Sequence, residues 1–493
     1  MLNSKIEKVR AGQPYLYREN GLPSEVYEVV FRENVDNEIL NKALSNTIER
    51  YPYFKVKYQE CDGDFYTVPN ENDFVALETK ELPVLGGKEN NYYLIAVSHF
   101  DTTMYVSFHH GLTDGRGIKS FIESLVYYYC LEKYGTTEVP NGVLTKDVRY
   151  TDAESAEPCG ERYRVEKAEK IEGISKKGFS IPETKLEKSS HRRYELKFSQ
   201  KDFMNLCKSY GGTPITMLSI MMSRGISTLY PDAEKPINSH FPVDVRSELG
   251  VDGTYKNCVK SISLPYGEAE KNMSTEELNN HYKKLMKAQR SINHCKSEFN
   301  NIILLLNAIS HLHSFKGKRS IMKMLDDLTV DTYIISYIGK FNFGENEKYI
   351  DAVHLYSNCS NGLSINMICA CGNFYIDFVQ DFETEKYIDA LVNEFLKEGI
   401  ALETSALIEF ATPNDNLMKD MDYASSIIAP RESLWEKTVN ANVSAYKFTE
   451  RVAVDTMTNI SDSFVKAFLL HEGETITQAK GRLREEQARR MAM

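Results

Sequence analysis

The sequence has little that would direct it into a membrane or onto nucleic acid. A membrane-spanning helix needs about 20 apolar residues, and the longest strongly apolar runs, such as 302–306, are far shorter. The N-terminal stretch MLNSKIEKVRAGQPYLY lacks the apolar core of a secretory signal peptide. Acidic residues outnumber basic ones, 70 to 59, and no long basic run is present. We therefore expect a cytoplasmic protein with no membrane span and no nucleic-acid partner.

Paired cysteines and the common cofactor motifs are also missing. The nine cysteines have no C-x-x-C spacing, which indicates reduced thiols rather than a disulfide framework or a structural metal site. The sequence has no glycine-rich phosphate loop and no G-x-S-x-G nucleophile elbow. We expect no metal and no tightly bound cofactor.

The chain of 493 residues is too long for one compact core, and its 42% hydrophobic and 26% charged residues are typical of globular proteins. Two runs of mixed helix and strand pattern flank a charged, apolar-poor stretch at 152–192. We predict an N-terminal lobe over 1–175, a C-terminal lobe over 176–404 and a helical tail over 405–493.

Local patterns predict the elements of each lobe. Residues 24–31 are rich in β-branched and aromatic residues and predict a strand, and 36–51 has the apolar spacing of a helix. Residues 91–110 predict a β-hairpin, and 118–134 predicts a helix with one apolar face. In the second half, Thr213 precedes a proline and a long apolar segment, which predicts a capped, buried helix.

The sharpest motif is His-His-Gly-Leu-Thr-Asp-Gly at 109–115. His109 and His110 end a predicted strand, so their rings point to opposite faces and only one can look into a given cavity. A histidine held at a strand end suits a general base, because its ordinary pKa lies near neutrality. Asp114, in the tight turn that follows, is placed to brace the loop through a basic partner. The alternative is a pair of structural histidines.

This motif and several others, in order, resemble the chloramphenicol acetyltransferase-like superfamily. That superfamily includes condensation domains of nonribosomal peptide synthetases, polyketide-associated acyltransferases, alcohol acetyltransferases and plant BAHD acyltransferases. The supporting stretches are VDNEILNKALSNTIERYPYFKVKY (35–58), GGTPITMLSIMMSRGI (211–226), PVDVRSELG (242–250), YKNC (255–258) and ISYIGKF (335–341). The resemblance spans about 15–400 and is closest to free-standing bacterial alcohol acetyltransferase-like proteins.

Two departures narrow the resemblance. The sequence has no Asp-Phe-Gly-Trp-Gly, and FNFGE at 341–345 is a poor substitute, which argues against a plant-type BAHD enzyme. Tyr337 replaces the usual Asn after Ser336. We therefore do not expect this strand to stabilise an oxyanion.

The resemblance implies an α/β fold of two similar lobes, each a mixed β-sheet covered by helices, arranged as a pseudo-dimer. The helical C-terminal tail over 405–493 is predicted from the sequence pattern and lies outside the resemblance. It implies that His110 faces a channel between the lobes and acts as catalytic general base, with His109 packed behind it. It also implies that Asp114 pairs with Arg246 in a structural role. Gly115 would leave room for the acceptor.

The resemblance further implies acyl transfer from a thioester to a small-molecule alcohol or amine, without a covalent acyl-enzyme. The donor would be acyl-CoA or an acyl-carrier thioester, and the absence of an attached adenylation module favours acyl-CoA. One alternative is a stand-alone condensation enzyme of natural-product biosynthesis that receives its acyl group from an acyl carrier protein. A second is a catalytically inactive binding module, against which the intact HHxxxDG motif argues.

Overall fold

The computed structural model describes most of the chain in ten segments. They are residues 6–17, 24–61, 63–166, 171–174, 177–185, 191–310, 312, 315–326, 331–357 and 362–410, with the single positions 475, 477, 478 and 481. The helical tail predicted for 405–493 therefore lies largely outside the described residues, and its first part, Ile408–Phe410, is a short strand. No helix in these segments is long and apolar enough to cross a membrane.

The described residues form mixed strands and helices throughout. The strands are β1 (Glu7–Lys8), β2 (Ser24–Phe31), β3 (Val56–Cys61), β4 (Asp64–Pro69), β5 (Leu77–Glu78), β6 (Ile95–Phe100), β7 (Thr103–His109), β8 (His191–Ser199), β9 (Ile237–Asp244), β10 (Val259–Tyr266), β11 (Tyr333–Lys340), β12 (Ile350–Ser357), β13 (Leu363–Ala370), β14 (Asn373–Gln380), β15 (Leu402–Thr404) and β16 (Ile408–Phe410). The helices are α1 (Gln13–Leu16), α2 (Asn37–Arg50), α3 (Gly115–Tyr134), α4 (Gln200–Ser209), α5 (Pro214–Leu229), α6 (Arg246–Leu249), α7 (Glu268–Lys271), α8 (Thr275–Gln289), α9 (Ile292–Ile309), α10 (Phe315–Asp326) and α11 (Lys386–Lys397).

The first lobe is built on a five-stranded sheet of order β12-β2-β7-β6-β5. The predicted hairpin is β6 and β7, joined by a turn in which Asp101 has φ 49°. Strand β2 runs antiparallel to β7, with Ser24 opposite His109. Helices α2 and α3 pack against each other, with Leu40 and Phe121 in the shared core. This sheet therefore brings the end of β7, where the histidine pair lies, beside the start of β2.

The second lobe is built on an eight-stranded mixed sheet of order β10-β9-β11-β13-β14-β8-β15, with β16 also paired to β8. Strand β11 is parallel to both of its neighbours, and the other pairs are antiparallel. Helix α5 packs on this sheet and begins as predicted, with the Thr213 hydroxyl accepting from the amide of Thr216 and Pro214 in the first turn. The two mixed sheets with their helices confirm the predicted α/β fold.

One strand crosses between the lobes. Strand β12, which follows β11 in the chain, pairs antiparallel with β2 of the first sheet. No local sequence pattern indicates that a strand of the second half leaves its own lobe. The lobes are consequently joined by backbone hydrogen bonds as well as by side chains.

A buried group of charges lies where β12 and β2 meet the second sheet. Arg193 donates to both carboxylate oxygens of Glu28, each at 3.2 Å, and contacts Glu195 at 2.5 Å. His354 Nδ1 lies 3.2 Å from an oxygen of Asp377, and Arg193 and His354 are 5% and 6% exposed. An unpaired buried charge is costly. Removal of any one of these side chains would therefore destabilise the contact between β12, β2 and the second sheet.

The pH dependence of the free energy of unfolding tests the contribution of this group of buried charges. Burial alone would lower the pKa of His354, but the charges of Asp377, Glu195 and Glu28 outweigh it and raise the pKa from 6.5 to about 9. The protonated ring therefore stabilises the fold fully below pH 6.5, and that contribution is lost as the pH rises through 9.

We expect the free energy of unfolding, measured with denaturant, to decline by up to about 1.4 kcal/mol per pH unit across this window. His354→Gln should flatten that decline. A variant with the same slope as the wild type would contradict the assignment.

Candidate active site

The histidine motif forms the junction between β7 and α3. His109 is the last residue of β7, and Gly115 is the first residue of α3. Asp114 is the N-cap of α3, because one of its oxygens accepts a hydrogen bond of 2.8 Å from the amide of Gly117. The helix therefore starts three residues earlier than the apolar pattern predicted, since Gly115 to Gly117 carry no apolar stripe.

His109 points into the first lobe and is fully buried. Its Nδ1 accepts a hydrogen bond of 3.0 Å from the amide of Gly111, and its ring meets Tyr58 edge-on at 5.8 Å. Burial, with a smaller effect of the neighbouring His110, lowers the pKa of His109 to about 3. His109 is therefore neutral and packed behind the strand end.

His110 is held by an amide from the second lobe. The Asn257 side-chain nitrogen donates to the backbone oxygen of His110 at 2.7 Å, so the Asn257 oxygen faces His110 Nδ1, at 2.8 Å. A carbonyl oxygen accepts only, so Nδ1 must carry the hydrogen. The neutral ring consequently presents the lone pair of Nε2 on its opposite side. This assignment of the tautomer follows from the hydrogen-bond network.

One face of the His110 ring is covered. Tyr15, in the short helix α1, stacks on it with ring centroids 4.0 Å apart and planes 9° apart. The covering segment approaches so closely that a Cβ on Gly12 would lie 1.7 Å from the backbone oxygen of Gly111. Only glycine fits there. The His110 side chain is 14% exposed, so access to Nε2 lies along the plane of the ring.

Glu25 occupies that in-plane direction. One of its oxygens lies 3.6 Å from His110 Nε2, and its side chain is 15% exposed. Burial raises the pKa of Glu25, and His110 counteracts this in part. Its other oxygen, Oε2, has no hydrogen-bond partner among the described residues.

Asp114 and Arg246 form a buried link between the lobes. Arg246 Nη2 donates to Asp114 Oδ1 at 2.8 Å, and the amide of Cys258 donates to Asp114 Oδ2, also at 2.8 Å. The same guanidinium donates to the backbone oxygens of Thr254 at 2.7 Å and Lys256 at 2.9 Å. Asp114 is 0% and Arg246 4% exposed. This pair therefore fixes the 254–258 loop, which carries Asn257, against the histidine loop.

Gly115 makes room for a neighbouring strand. A Cβ at this position would lie 2.4 Å from Cδ1 of Ile338 in β11 and 3.1 Å from the hydroxyl of Tyr27. The resemblance implied that Gly115 leaves room for the acceptor. In the described structure, Ile338 occupies the space beside Gly115.

Two adjoining cavities lie near the N-terminal segment, and one of them touches the histidine loop. One of about 20 Å³, room for a single water, is lined by Gly111, Leu112 and the covering segment. A second of about 210 Å³ shares Glu7, Thr67 and Tyr255 with it. A channel beside the His110 ring itself stays a prediction.

The structure brings together all five residues singled out in the sequence: His109, His110, Asp114, Gly115 and Arg246. Sequence reasoning missed three others, and each depends on long-range pairing. Asn257 lies in the YKNC stretch, but nothing local aims it at His110. Glu25 and Tyr15 come from β2 and α1, whose positions depend on the register of β2 against β7 and on the fit of the N-terminal segment. The one local signal for Glu25 is that it is one of two acidic residues in an otherwise largely apolar strand.

The architecture is shared with solved structures of low sequence identity. No family model matches the chain, and no curated protein matches it in sequence. TRI101 of F. graminearum, solved with ethyl coenzyme A, aligns with 81% of this chain and 100% of its own at 11% identity and a TM-score of 0.51. Polyketide synthase associated protein 5 from Mycobacterium tuberculosis aligns with 78% of this chain and 96% of its own at 12% identity and a TM-score of 0.50. At these identities the likeness shows the two-lobed fold alone.

Loss of the Asp114 carboxylate tests the link between the lobes. Asp114→Ala should lower the free energy of unfolding by about 3–5 kcal/mol, because it leaves the buried Arg246 without its buried charge partner. Denaturant unfolding of the purified variant measures this.

Asp244→Ala is the matched control, because Asp244 contacts the same guanidinium at 2.9 Å from a side chain that is 39% exposed. A partly exposed pair contributes about 1 kcal/mol or less. Equal losses for the two variants, or a fully stable Asp114→Ala protein, would contradict a structural role for Asp114.

Proposed function

We propose that the protein is an acyltransferase that moves an acyl group from an acyl-CoA thioester to an alcohol or amine. The observation that carries the proposal is His110, whose Nδ1 is engaged by Asn257 and whose Nε2 faces Glu25 at the junction of the lobes. The fold supports it, since TRI101 of F. graminearum was solved with ethyl coenzyme A bound. The proposed site needs no tightly bound cofactor, and a cytoplasmic location suits the buried thiols.

The proposed reaction is direct transfer. As the acceptor oxygen or nitrogen attacks the thioester carbonyl carbon, His110 Nε2 takes its proton. The tetrahedral intermediate then expels the thiolate, a good leaving group because thiols have a pKa of about 8.5. The thiolate recovers the proton from His110 and leaves as free CoA. The protein forms no covalent intermediate.

The residues around His110 would support this reaction by holding the ring and its loop in place. Asn257 would keep the proton on Nδ1, and the Asp114–Arg246 pair would hold the loop that carries Asn257. His109, neutral and buried, would support the strand end. An acyl carrier protein as donor remains the nearest alternative, and thiol release from acetyl-CoA separates the two because it needs no carrier.

The two histidines should separate chemistry from stability. His110→Ala should reduce thiol release from acetyl-CoA, tested with a panel of alcohols and amines, by about 10²–10⁴-fold, the usual contribution of a general base. The melting temperature of this variant should stay closer to the wild-type value than that of His109→Ala, because the His110 side chain is 14% exposed and His109 is fully buried. His109→Ala should instead lower the melting temperature, since it leaves a cavity and an unpaired Gly111 amide.

Thermal melts on the same preparations complete that comparison. An active His110→Ala enzyme would exclude the general-base mechanism. Equal rate losses with unchanged melts for both variants would contradict the division between the two rings.

Asn257 offers a test of the tautomer. Asn257→Ala removes the acceptor for Nδ1–H, and the loss of one such hydrogen bond corresponds to about tenfold in rate. We expect kcat for acyl transfer to drop by about that factor with the KM for acetyl-CoA unchanged. A raised KM with normal kcat would instead make Asn257 a binding residue for the donor.

A further inference from the structure

We propose that the acceptor is a primary amine, bound as its ammonium ion by Glu25, Tyr27 and His110. This inference rests on the proposed acyl transfer and assigns its acceptor class. It begins from Glu25, whose carboxylate lies 3.6 Å from His110 Nε2, and from Tyr27 on the same face of β2.

Two hydrogen-bond acceptor atoms face each other at the edge of the His110 ring. Asn257 keeps the hydrogen of His110 on Nδ1, so Nε2 presents a lone pair. A carboxylate oxygen of Glu25 stands 3.6 Å away. Neither atom can donate to the other when the ring is neutral and Glu25 is ionised. A ligand that brings hydrogen-bond donors and positive charge would satisfy both.

Two further polar atoms on the same side are unsatisfied. Within the described part of the chain, Glu25 Oε2 and the hydroxyl of Tyr27 have no hydrogen-bond partner, although both are buried. Glu25 and Tyr27 are two apart in β2 and so point to the same face of the sheet. Burial raises the pKa of Tyr27 well above its ordinary value, and the charge of Glu25 adds to this, as expected for close neighbours. Buried polar groups are nearly always paired, so these two atoms call for a partner that the described residues do not supply.

A primary ammonium matches this arrangement better than a hydroxyl. It carries three N–H donors and one positive charge, while the site offers a carboxylate, a phenol oxygen and an imidazole nitrogen as acceptors. An alcohol brings one donor and no charge, and would leave the Glu25 carboxylate unpaired at a high cost. The exposed fractions of His110 and Glu25, 14% and 15%, leave the pair accessible from solvent.

The proton balance of amine acylation also needs a second base. An ammonium must lose one proton before its nitrogen can attack, and Glu25 would accept it. The nitrogen then forms the C–N bond, His110 Nε2 takes the second proton, and the C–S bond breaks. The thiolate leaves with the proton from His110, and Glu25 returns its proton to solvent. The products are an amide, free CoA and one proton. An alcohol acceptor has only one proton to lose, so its acylation would not need Glu25 as a second base.

Binding measurements on the full chain test the inference without relying on turnover. Isothermal titration would compare butylamine and hexylamine with butanol and hexanol, in the presence of CoA. We expect the wild type to prefer the amines by about ten- to hundred-fold, the usual value of a charged hydrogen bond. Glu25→Gln, which keeps the shape and removes the charge, should abolish the preference. Glu38→Gln, an exposed residue of α2, makes the same charge change and should have no effect.

Acetyl transfer to the same acceptors gives the second readout. Glu25→Gln should lower kcat/KM for the amines by at least about tenfold more than it lowers kcat/KM for the alcohols. Glu25→Asp and Tyr27→Phe give the same test should the Gln variant fail to fold: each should weaken the amine preference.

The outcomes separate this inference from the proposed function. Wild-type protein that binds alcohols as tightly as amines, or a Glu25→Gln variant that keeps the amine preference, would overturn the inference, and water would then satisfy Glu25. His110-dependent transfer to alcohols alone would keep the proposed acyl transfer and reject the amine. Amine binding that depends on Glu25, without thiol release from acetyl-CoA, would keep the cation site and reject that acyl transfer.

Discussion

The contact between Asp114 and Arg246 is the constraint on which the site depends. Asp114 caps α3 through the amide of Gly117 and accepts from Arg246 and from the amide of Cys258. One carboxylate thus sets the end of the histidine loop, the start of a helix and the position of the facing loop. Because both charges are buried, the arrangement is stable only when every one of these bonds is made. The position of Asn257, and through it the tautomer of His110, follows from that contact.

The histidine pair shows how strand alternation divides two adjacent residues between different environments. His109 lies inside the first lobe, where burial keeps it neutral. His110 lies on the other face, where it meets Asn257 from the second lobe and Tyr15 from the N-terminal segment. The same alternation in β2 places Glu25 and Tyr27 together on one face. Two short strands, held in register, therefore determine most of the side chains around Nε2.

The features that could be predicted from the sequence are those that depend on residues close together in the chain. The caps at Ser199 and Thr213 and the strand that ends in the histidine pair follow from residues close together in the chain. The crossing of β12, and the placement of Glu25 and Tyr15 beside His110, could not be predicted. Each is settled by pairing between segments far apart in sequence, and a slip of one residue in register would turn every side chain of β2 to the other face. The motif thus identified the proposed base, while the residues that face it could be placed only from the fold.

The N-terminal segment belongs to the site rather than to the surface around it. Its β1 pairs with β4, its Ala11 amide donates to Glu157 at 3.1 Å, and Gln13 donates to Asp64 at 2.8 Å. These bonds hold Tyr15 over one face of the His110 ring. With that face covered and Nδ1 engaged, an acceptor can reach the ring only in its own plane, at Nε2 beside Glu25. The enclosure of His110 therefore places the charge of Glu25 beside any molecule that reaches Nε2.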